Sequence, residues 1–154
     1  MKITVAIVDK GGKEKLYTPL IEHYSKLIKS HAQINIIDVF DKKIARAQDV
    51  SPQMAQKSYS DALDPYLSKN SITIALDPSS KQLNSEEFAL LLKDRGDVTF
   101  LIGGAYGFEK DFVSKCNHAI SLGKITLSHK LVKVVLLEQI FRGLSINSNH
   151  PYHK

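Results

Sequence analysis

Short apolar runs alternate with longer amphipathic segments along almost the whole chain, and this alternation restricts the possible folds more than any other feature. Five runs are predicted to be strands, at residues 2–8, 34–40, 71–76, 98–102 and 119–122. Segments with helical periodicity lie between and after them. Because the strands are apolar and alternate with helices, the sequence predicts an α/β fold: a mostly parallel sheet with helices on both faces.

Apolar stripes and capping residues indicate where the helices lie. Two stripes of helical spacing are Leu16, Leu20, Tyr24, Leu27 and Ile28, then the weaker Met54, Tyr59, Leu63 and Tyr66. Asn84 and Glu87 have the spacing of a capping box, which predicts the start of a third helix. The last helix is predicted to begin near His129. The segment 41–52 is interpreted as a loop, with the next helix opening at Ser51 and Pro52.

Length and composition indicate an ordinary globular protein. No linker or internal repeat divides the 154 residues, so residues 1–154 are expected to form a single domain. A single cysteine, Cys116, excludes an intramolecular disulfide and fits a reducing compartment. The longest uninterrupted apolar run, residues 88–92, is far shorter than the roughly 18 residues of a membrane helix. We therefore expect a cytoplasmic protein.

Basic charge is concentrated at the C-terminal end. Residues 124–154 contain five Lys and Arg residues against one Glu, which is +4 of the formal net charge of +5. Three histidines lie in the same stretch. Such an end is typical of proteins with a polyanionic partner, and a solvated helix face is the alternative interpretation.

The stretch "VTFLIGGAYGFEKDF", residues 98–112, joins a strand directly to Gly103, Gly104 and Gly107. It fits neither the dinucleotide fingerprint G-x-G-x-x-G nor the phosphate-binding G-x-x-x-x-G-K-[ST], and Gly123 followed by Lys124 fails the latter too. Ligands in open α/β sheets collect at the carboxyl ends of strands. The glycines either let a ligand approach the main chain or only turn the chain.

The C-terminal third resembles a known family. "LIGGAYGF", "ISLGKITLSHKLVKVVLLEQIFRGLSI" and the final "NHPYHK" closely resemble the bacterial ribosomal large-subunit methyltransferase H family, a minimal member of the SPOUT class of RNA methyltransferases. The resemblance is most specific from residue 98 onward. It covers essentially the whole length, since the "MKIT" start also fits.

The resemblance implies an activity and a topology. The activity is S-adenosyl-L-methionine-dependent methylation of N3 of a pseudouridine in 23S rRNA, on the assembled ribosome, by a homodimer. The topology is a C-terminal trefoil knot, with the last helix threaded through the loops that hold the cofactor. The expected partners are thus the ribosome and a second copy of the chain, with no DNA, membrane or metal.

The resemblance also assigns the cofactor site. By comparison with the family, the cofactor contacts fall on Leu76, Gly103, Leu122, Gly123, Lys124, Ile125, Thr126 and Leu127. These residues belong to the loops after the third, fourth and fifth predicted strands, where a parallel sheet would hold a ligand. The three glycines at 103–107 are interpreted as making room for the cofactor, whose adenine would bond to the main chain.

Catalysis is assigned to the C-terminal end. The proton on N3 of the acceptor has to leave, so a base or a nearby positive charge would help. His150 is the expected base, and Arg142 is the other expected catalytic residue. The remaining substrate-binding candidates are His129, Lys133, Tyr152 and His153. A homodimer would let the tail of one subunit complete the cofactor pocket of the other.

Two other functions are consistent with parts of the sequence. A non-catalytic RNA- or ribosome-binding module of the same fold would use the basic end without the cofactor. An α/β oxidoreductase would hold a nucleotide at the glycines, although the missing G-x-G-x-x-G argues against it.

Overall fold

The five predicted strands form one sheet. A computed structural model describes residues 1–154. The strands are β1 (Lys2–Val8), β2 (Gln33–Val39), β3 (Ser71–Gln82), β4 (Asp97–Ile102) and β5 (His118–Ser121). All neighbouring pairs are parallel, in the order β2-β1-β4-β3-β5. The prediction of a parallel α/β sheet is therefore confirmed.

Six helices connect and follow the strands. They are α1 (Thr18–Ile28), α2 (Lys42–Val50), α3 (Pro52–Leu63), α4 (Ser85–Leu92), α5 (Lys110–Lys115) and α6 (His129–Asn147). The predicted capping box is present at α4: the side chain of Asn84 accepts from the main-chain N–H of Glu87 at 2.8 Å, and Glu87 accepts from that of Asn84 at 2.9 Å. The last helix begins at His129, as predicted, with Ser128 as its N-cap.

The prediction of a loop over residues 41–52 is wrong, because α2 occupies most of it. The side chain of Asp41 caps this helix by accepting from the main-chain N–H of Ile44 at 2.8 Å. Only Ile44 and Ala47 are buried on α2, so its apolar stripe is too narrow to stand out from the sequence. In the first predicted stripe, Leu16 precedes α1 and is 70% exposed.

Helices cover both faces of the sheet. Ile3, Val5 and Ile7 of β1 lie in a core with α1, α4 and α6. Ala6 and Val8 of the same strand lie in a second core with α2, α3 and α5. This alternation is what a strand between two helical layers requires, since successive side chains point to opposite faces.

The last helix is a central element of the first core. It packs against α1 and α4, and its buried residues include Leu136, Leu137, Ile140 and Phe141. One apolar residue of its first turns, Leu131, is 38% exposed. No helix in the structure has both the length and the apolar character needed to cross a membrane.

Candidate cofactor site and C-terminal tail

A cavity of about 380 Å³ opens at the carboxyl ends of β4 and β5 and beside Leu76 of β3, where the pairing of β3 with β5 shifts register. Seven of the eight predicted cofactor residues line it: Leu76, Gly103, Leu122, Gly123, Ile125, Thr126 and Leu127. The eighth, Lys124, is not part of the lining, and its side chain is exposed. The loops after β4 and β5 and the middle of β3 thus meet around a single cavity.

Local hydrogen bonds shape the loop after β5. The hydroxyl of Ser121 donates to the carbonyl oxygen of Gly123 at 2.7 Å and accepts from the N–H of Gly123 at 3.2 Å. Ser121 itself is buried. The loop therefore turns tightly at the end of the strand and presents Gly123, Ile125 and Thr126 to the cavity.

The glycines after β4 serve the protein's own packing more than the sequence suggested. A Cβ atom at Gly104 would lie 2.5 Å from Cζ of Tyr59, a fully buried residue of α3. Gly107 has a φ of +72° in a turn closed by its N–H, which donates to the carbonyl of Gly104 at 3.0 Å. The interpretation that all three glycines make room for a ligand is therefore corrected: Tyr59 occupies the space at Gly104.

The structure adds residues to the cavity that sequence comparison missed. Asp77 and Pro78 line it from within β3, which runs to Gln82, six residues beyond the predicted end at residue 76. The carboxylate of Asp77 accepts hydrogen bonds from the hydroxyls of Ser79 and Ser80 at 2.8 and 2.6 Å. In the sequence, Asp77 and Pro78 come directly after the predicted strand at residues 71–76. This position is the signal from which they could have been predicted to line the cavity. The first turns of α6 form another wall, with His129 lining the cavity.

A cluster of charges holds the first turns of α6 against the ends of β1 and β2. The ammonium of Lys133 lies 3.4 Å from Asp9 and 2.5 Å from Asp38. His129 and Lys130 lie 3.5 and 3.8 Å from the other oxygen of Asp9. Cations are unfavourable at a helix N-terminus. Asp9 and Asp38 offset the charge of Lys133, and Glu14 pairs with Lys130.

The cluster changes the interpretation of Lys133. This residue was predicted to bind substrate, but it is only 4% exposed and its charge is paired with two carboxylates. These ion pairs link α6 to the ends of β1 and β2. Substrate binding by Lys133 stays a prediction.

The same cluster lowers the pKa of Asp9. Burial of its carboxyl acts to raise the pKa, but the positive charges of Lys133, Lys130 and His129 outweigh it and bring the pKa below the ordinary value of 3.8. Asp9 is therefore held as a carboxylate beside the wall of the cavity.

The C-terminal tail, residues 148–154, folds back along the far half of α6. One oxygen of Glu138 accepts from two nitrogens of Arg142, at 3.0 and 2.6 Å, and from the hydroxyl of Tyr152 at 3.1 Å. The guanidinium of Arg142 also lies 4.8 Å from the ring centroid of Tyr152. The hydrogen bonds that Arg142 donates to Glu138 raise the pKa of Arg142, and burial together with the contact to Glu138 raises the pKa of Tyr152.

Two histidines complete this arrangement. His153 lies between Arg142, at 3.3 Å, and the carboxylate of Glu86, at 3.0 Å. His150 is exposed, and its ring lies edge-on to that of His31, with centroids 6.1 Å apart. The structure thus brings Arg142, Tyr152 and His153 together, with His150 nearby on the tail.

The tail and the cavity lie at opposite ends of α6. The 19 residues of this helix span about 27 Å at about 1.5 Å per residue. His129 is at the cavity end, whereas the tail follows Asn147. Within one chain, the predicted catalytic residues His150 and Arg142 are therefore not brought to the predicted cofactor residues.

Comparison with known proteins identifies relatives over the full length. Residues 1–153 match a family described as "Predicted SPOUT methyltransferase". A protein of Sulfurovum sp. (strain NBC37-1) called "Ribosomal RNA large subunit methyltransferase H" is 67% identical over 154 residues, which is 100% of both chains. One of the same description from Campylobacter lari is 47% identical, again over 100% of both chains.

A solved structure has a similar fold. It is a probable methylase family protein from Haemophilus influenzae Rd KW20, with a TM-score of 0.56 and 12% identity. The similarity covers 99% of this chain and 70% of the other. At this identity the likeness concerns the fold alone.

Replacing Gly104 with alanine is expected to destabilise the protein. The new Cβ would overlap the ring of Tyr59, which is closed in by the second core, and such overpacking costs about 1–3 kcal/mol. Urea unfolding should show this loss for Gly104→Ala. Gly96→Ala is the control, because no atom lies within 4 Å of a Cβ built there. Equal stability of the two variants would contradict the assignment of this space to Tyr59.

Acid should weaken the charge cluster through Asp9. Because its folded-state pKa is lowered, the stability it contributes is present above about pH 5 and is lost as the pH falls through the folded-state pKa. The unfolding free energy of Asp9→Asn should therefore fall less than that of the parent between pH 5 and pH 3. Asp61→Asn, which removes a carboxylate 69% exposed on α3, should follow the parent. Parallel curves for Asp9→Asn and the parent would contradict this account.

Proposed function

The chain belongs to the SPOUT methyltransferase family, and from this premise we propose that it methylates N3 of a pseudouridine in 23S rRNA on the assembled ribosome. We propose S-adenosyl-L-methionine as the methyl donor and a homodimer as the active form. The methyltransferase function described for the relatives favours this enzyme over a non-catalytic RNA-binding module.

One observation carries the proposal of the donor site. Residues from three segments that are far apart in the sequence, the middle of β3 and the loops after β4 and β5, line a single cavity. Its volume of about 380 Å³ is within the range of small-molecule sites, about 300–1,000 Å³. Its walls combine leucine and isoleucine side chains with the main chain of Gly103 and Gly123, which suits an adenosyl group held by apolar contacts and main-chain hydrogen bonds.

The protein's share of the chemistry is mainly alignment. When bound, S-adenosyl-L-methionine supplies an electrophilic methyl group on a sulfonium. The residues of the cavity would hold the donor, and the first turn of α6 would close the site beside it. Positioning of this kind can account for much of the acceleration of a reaction between two bound partners.

The tail supplies the groups that the acceptor needs. N3 of the pseudouridine has to lose its proton, and His150, exposed on the tail, would accept it as general base. The guanidinium of Arg142 would stabilise the negative charge that develops on the pseudouridine ring as N3 loses its proton. Tyr152 and His153 would hold the nucleotide, and His129 would face it from the wall of the cavity.

The distance between tail and cavity supports a composite site. Because Arg142 lies 13 residues beyond His129 on α6, about 20 Å at about 1.5 Å per residue, we propose that the tail of each subunit completes the cavity of its partner. Exposed apolar side chains next to the cavity, Ile125 at 74% and Leu131 at 38% exposed, suit a subunit contact. The trefoil knot and the single-domain organisation of residues 1–154 belong to the same proposal.

A methyl-transfer assay tests the activity. Ribosomes that lack the modification should acquire a radiolabelled methyl group from S-adenosyl-L-methionine, and mapping should place it on a single pseudouridine of 23S rRNA, at N3. Arg142→Ala should slow the transfer by about a hundredfold or more, the usual cost of removing one preorganised charge, without changing the affinity for the donor. Arg46→Ala, at an exposed position of α2, is the matched control. Label on another nucleotide, or none, would contradict the proposal.

Mixed dimers test the composite site. Gly103→Val should distort the loop that lines the cavity, because a Cβ there would lie 3.3 Å from the main chain of Gly107. Deletion of residues 150–154 removes the tail, so each variant alone should be inactive. Equal mixing should restore about a quarter of the parental activity, because half of the dimers are mixed and each has one intact site. Circular dichroism confirms that both variants are folded. Activity that stays at the level of the separate variants would show that tail and cavity act within one chain.

A further inference from the structure

A second concave surface lies at the end of the sheet opposite the cavity. It is formed by the start of β1, the start of β2 and the segment after α1, and its volume is about 640 Å³. We call it the basic groove and define it by six of its lining residues: Lys2, Lys29, Ser30, His31, Gln33 and Asn35. None of the predicted site residues belongs to it.

The charge of the basic groove is not neutralised. No Asp or Glu is among its lining residues. Lys2 and Lys29 are exposed, and neither forms an ion pair, whereas Lys57, Lys81 and Lys115 each have a carboxylate partner. The nearby carboxylate of Asp97 accepts from the main-chain N–H of Lys2, at 2.9 Å, and not from its ammonium. The groove therefore presents free positive charge to a partner.

The polar residues of the groove suit an anionic polymer. Gln33 and Asn35 line the groove together with the lysines, and their amide groups can donate hydrogen bonds to phosphate or sugar oxygens. Protein interfaces are instead enriched in aromatic residues and depleted of lysine. The composition of the groove favours a nucleic acid backbone over a protein surface.

The groove is adjacent to the tail. The ring of His31, in its lining, lies 6.1 Å from that of His150 and 5.9 Å from that of Phe141. His150 is the base that the proposed function assigns to the tail. An RNA strand in the groove would thus lie next to the residues that receive the target nucleotide.

We propose that the basic groove binds the sugar-phosphate backbone of the rRNA that flanks the target pseudouridine. This inference rests on the proposed function, since it takes the rRNA as substrate. Backbone contacts of this kind set the position of the RNA without reading its sequence. The groove would orient the substrate, and the tail would receive the nucleotide.

The double variant Lys2→Ala/Lys29→Ala tests the proposal. Affinity for unmethylated ribosomes is measured between about 50 and 200 mM KCl, and a plot of log affinity against log salt should become shallower by about 1.4 to 1.8, at about 0.7 to 0.9 per lost phosphate contact. The KM for ribosomes should rise several-fold, while kcat and the affinity for S-adenosyl-L-methionine stay unchanged. If the variant still transfers methyl groups at saturating ribosome concentrations, the proposed activity is intact and only ribosome binding is weaker. The two proposals can therefore fail independently.

The matched control is Lys57→Ala/Lys81→Ala. It removes the same two charges, but at exposed lysines that are already paired with Asp61 and Glu87, so its salt dependence should equal that of the parent. Equal slopes for the two double variants would overturn the proposal. A loss of affinity on ribosomes but not on protein-free 23S rRNA would overturn it in favour of a ribosomal protein. Dissociation of the dimer in sedimentation would overturn it in favour of a subunit contact.

Discussion

Burial of α6 against the sheet, α1 and α4 is the constraint on which the rest of the structure depends. The helix crosses the first core with Leu136, Leu137 and Ile140 fully buried, so it cannot shift without opening that core. Its first turn forms a wall of the cavity and its far half carries the tail. A single rigid element therefore fixes the cavity, the tail and the distance between them.

The charge cluster resolves a conflict created by this arrangement. The first two turns of α6 carry His129, Lys130 and Lys133, where the helix dipole disfavours positive charge. Asp9 and Asp38, from the ends of β1 and β2, supply the compensating carboxylates. The cations at the start of α6 thus tie the cavity wall to the sheet, while the lysines of the basic groove remain free for a partner.

The sheet was predictable because each strand is a short apolar run between helical segments. The capping box at Asn84 and the start of α6 were predictable from local residue types alone. The helix over Lys42–Val50 was not, since its two buried residues give too weak a stripe. Lys133 pairs with Asp38, which is 95 positions away in the sequence, and Gly104 contacts Tyr59, which is 45 positions away. No local sequence pattern reveals contacts over such separations. The cavity residues followed from family resemblance, and tertiary structure brings them together.

The central claim is that the cavity lined by Leu76, Gly103 and the loop after β5 is the donor site. A crystal structure of the protein with S-adenosyl-L-methionine measures this most directly. The account predicts an adenine ring enclosed by Leu76, Gly103 and residues 122–127, with hydrogen bonds to the main chain. An adenine ring bound in the basic groove, or at any other surface while this cavity stays empty, would contradict it.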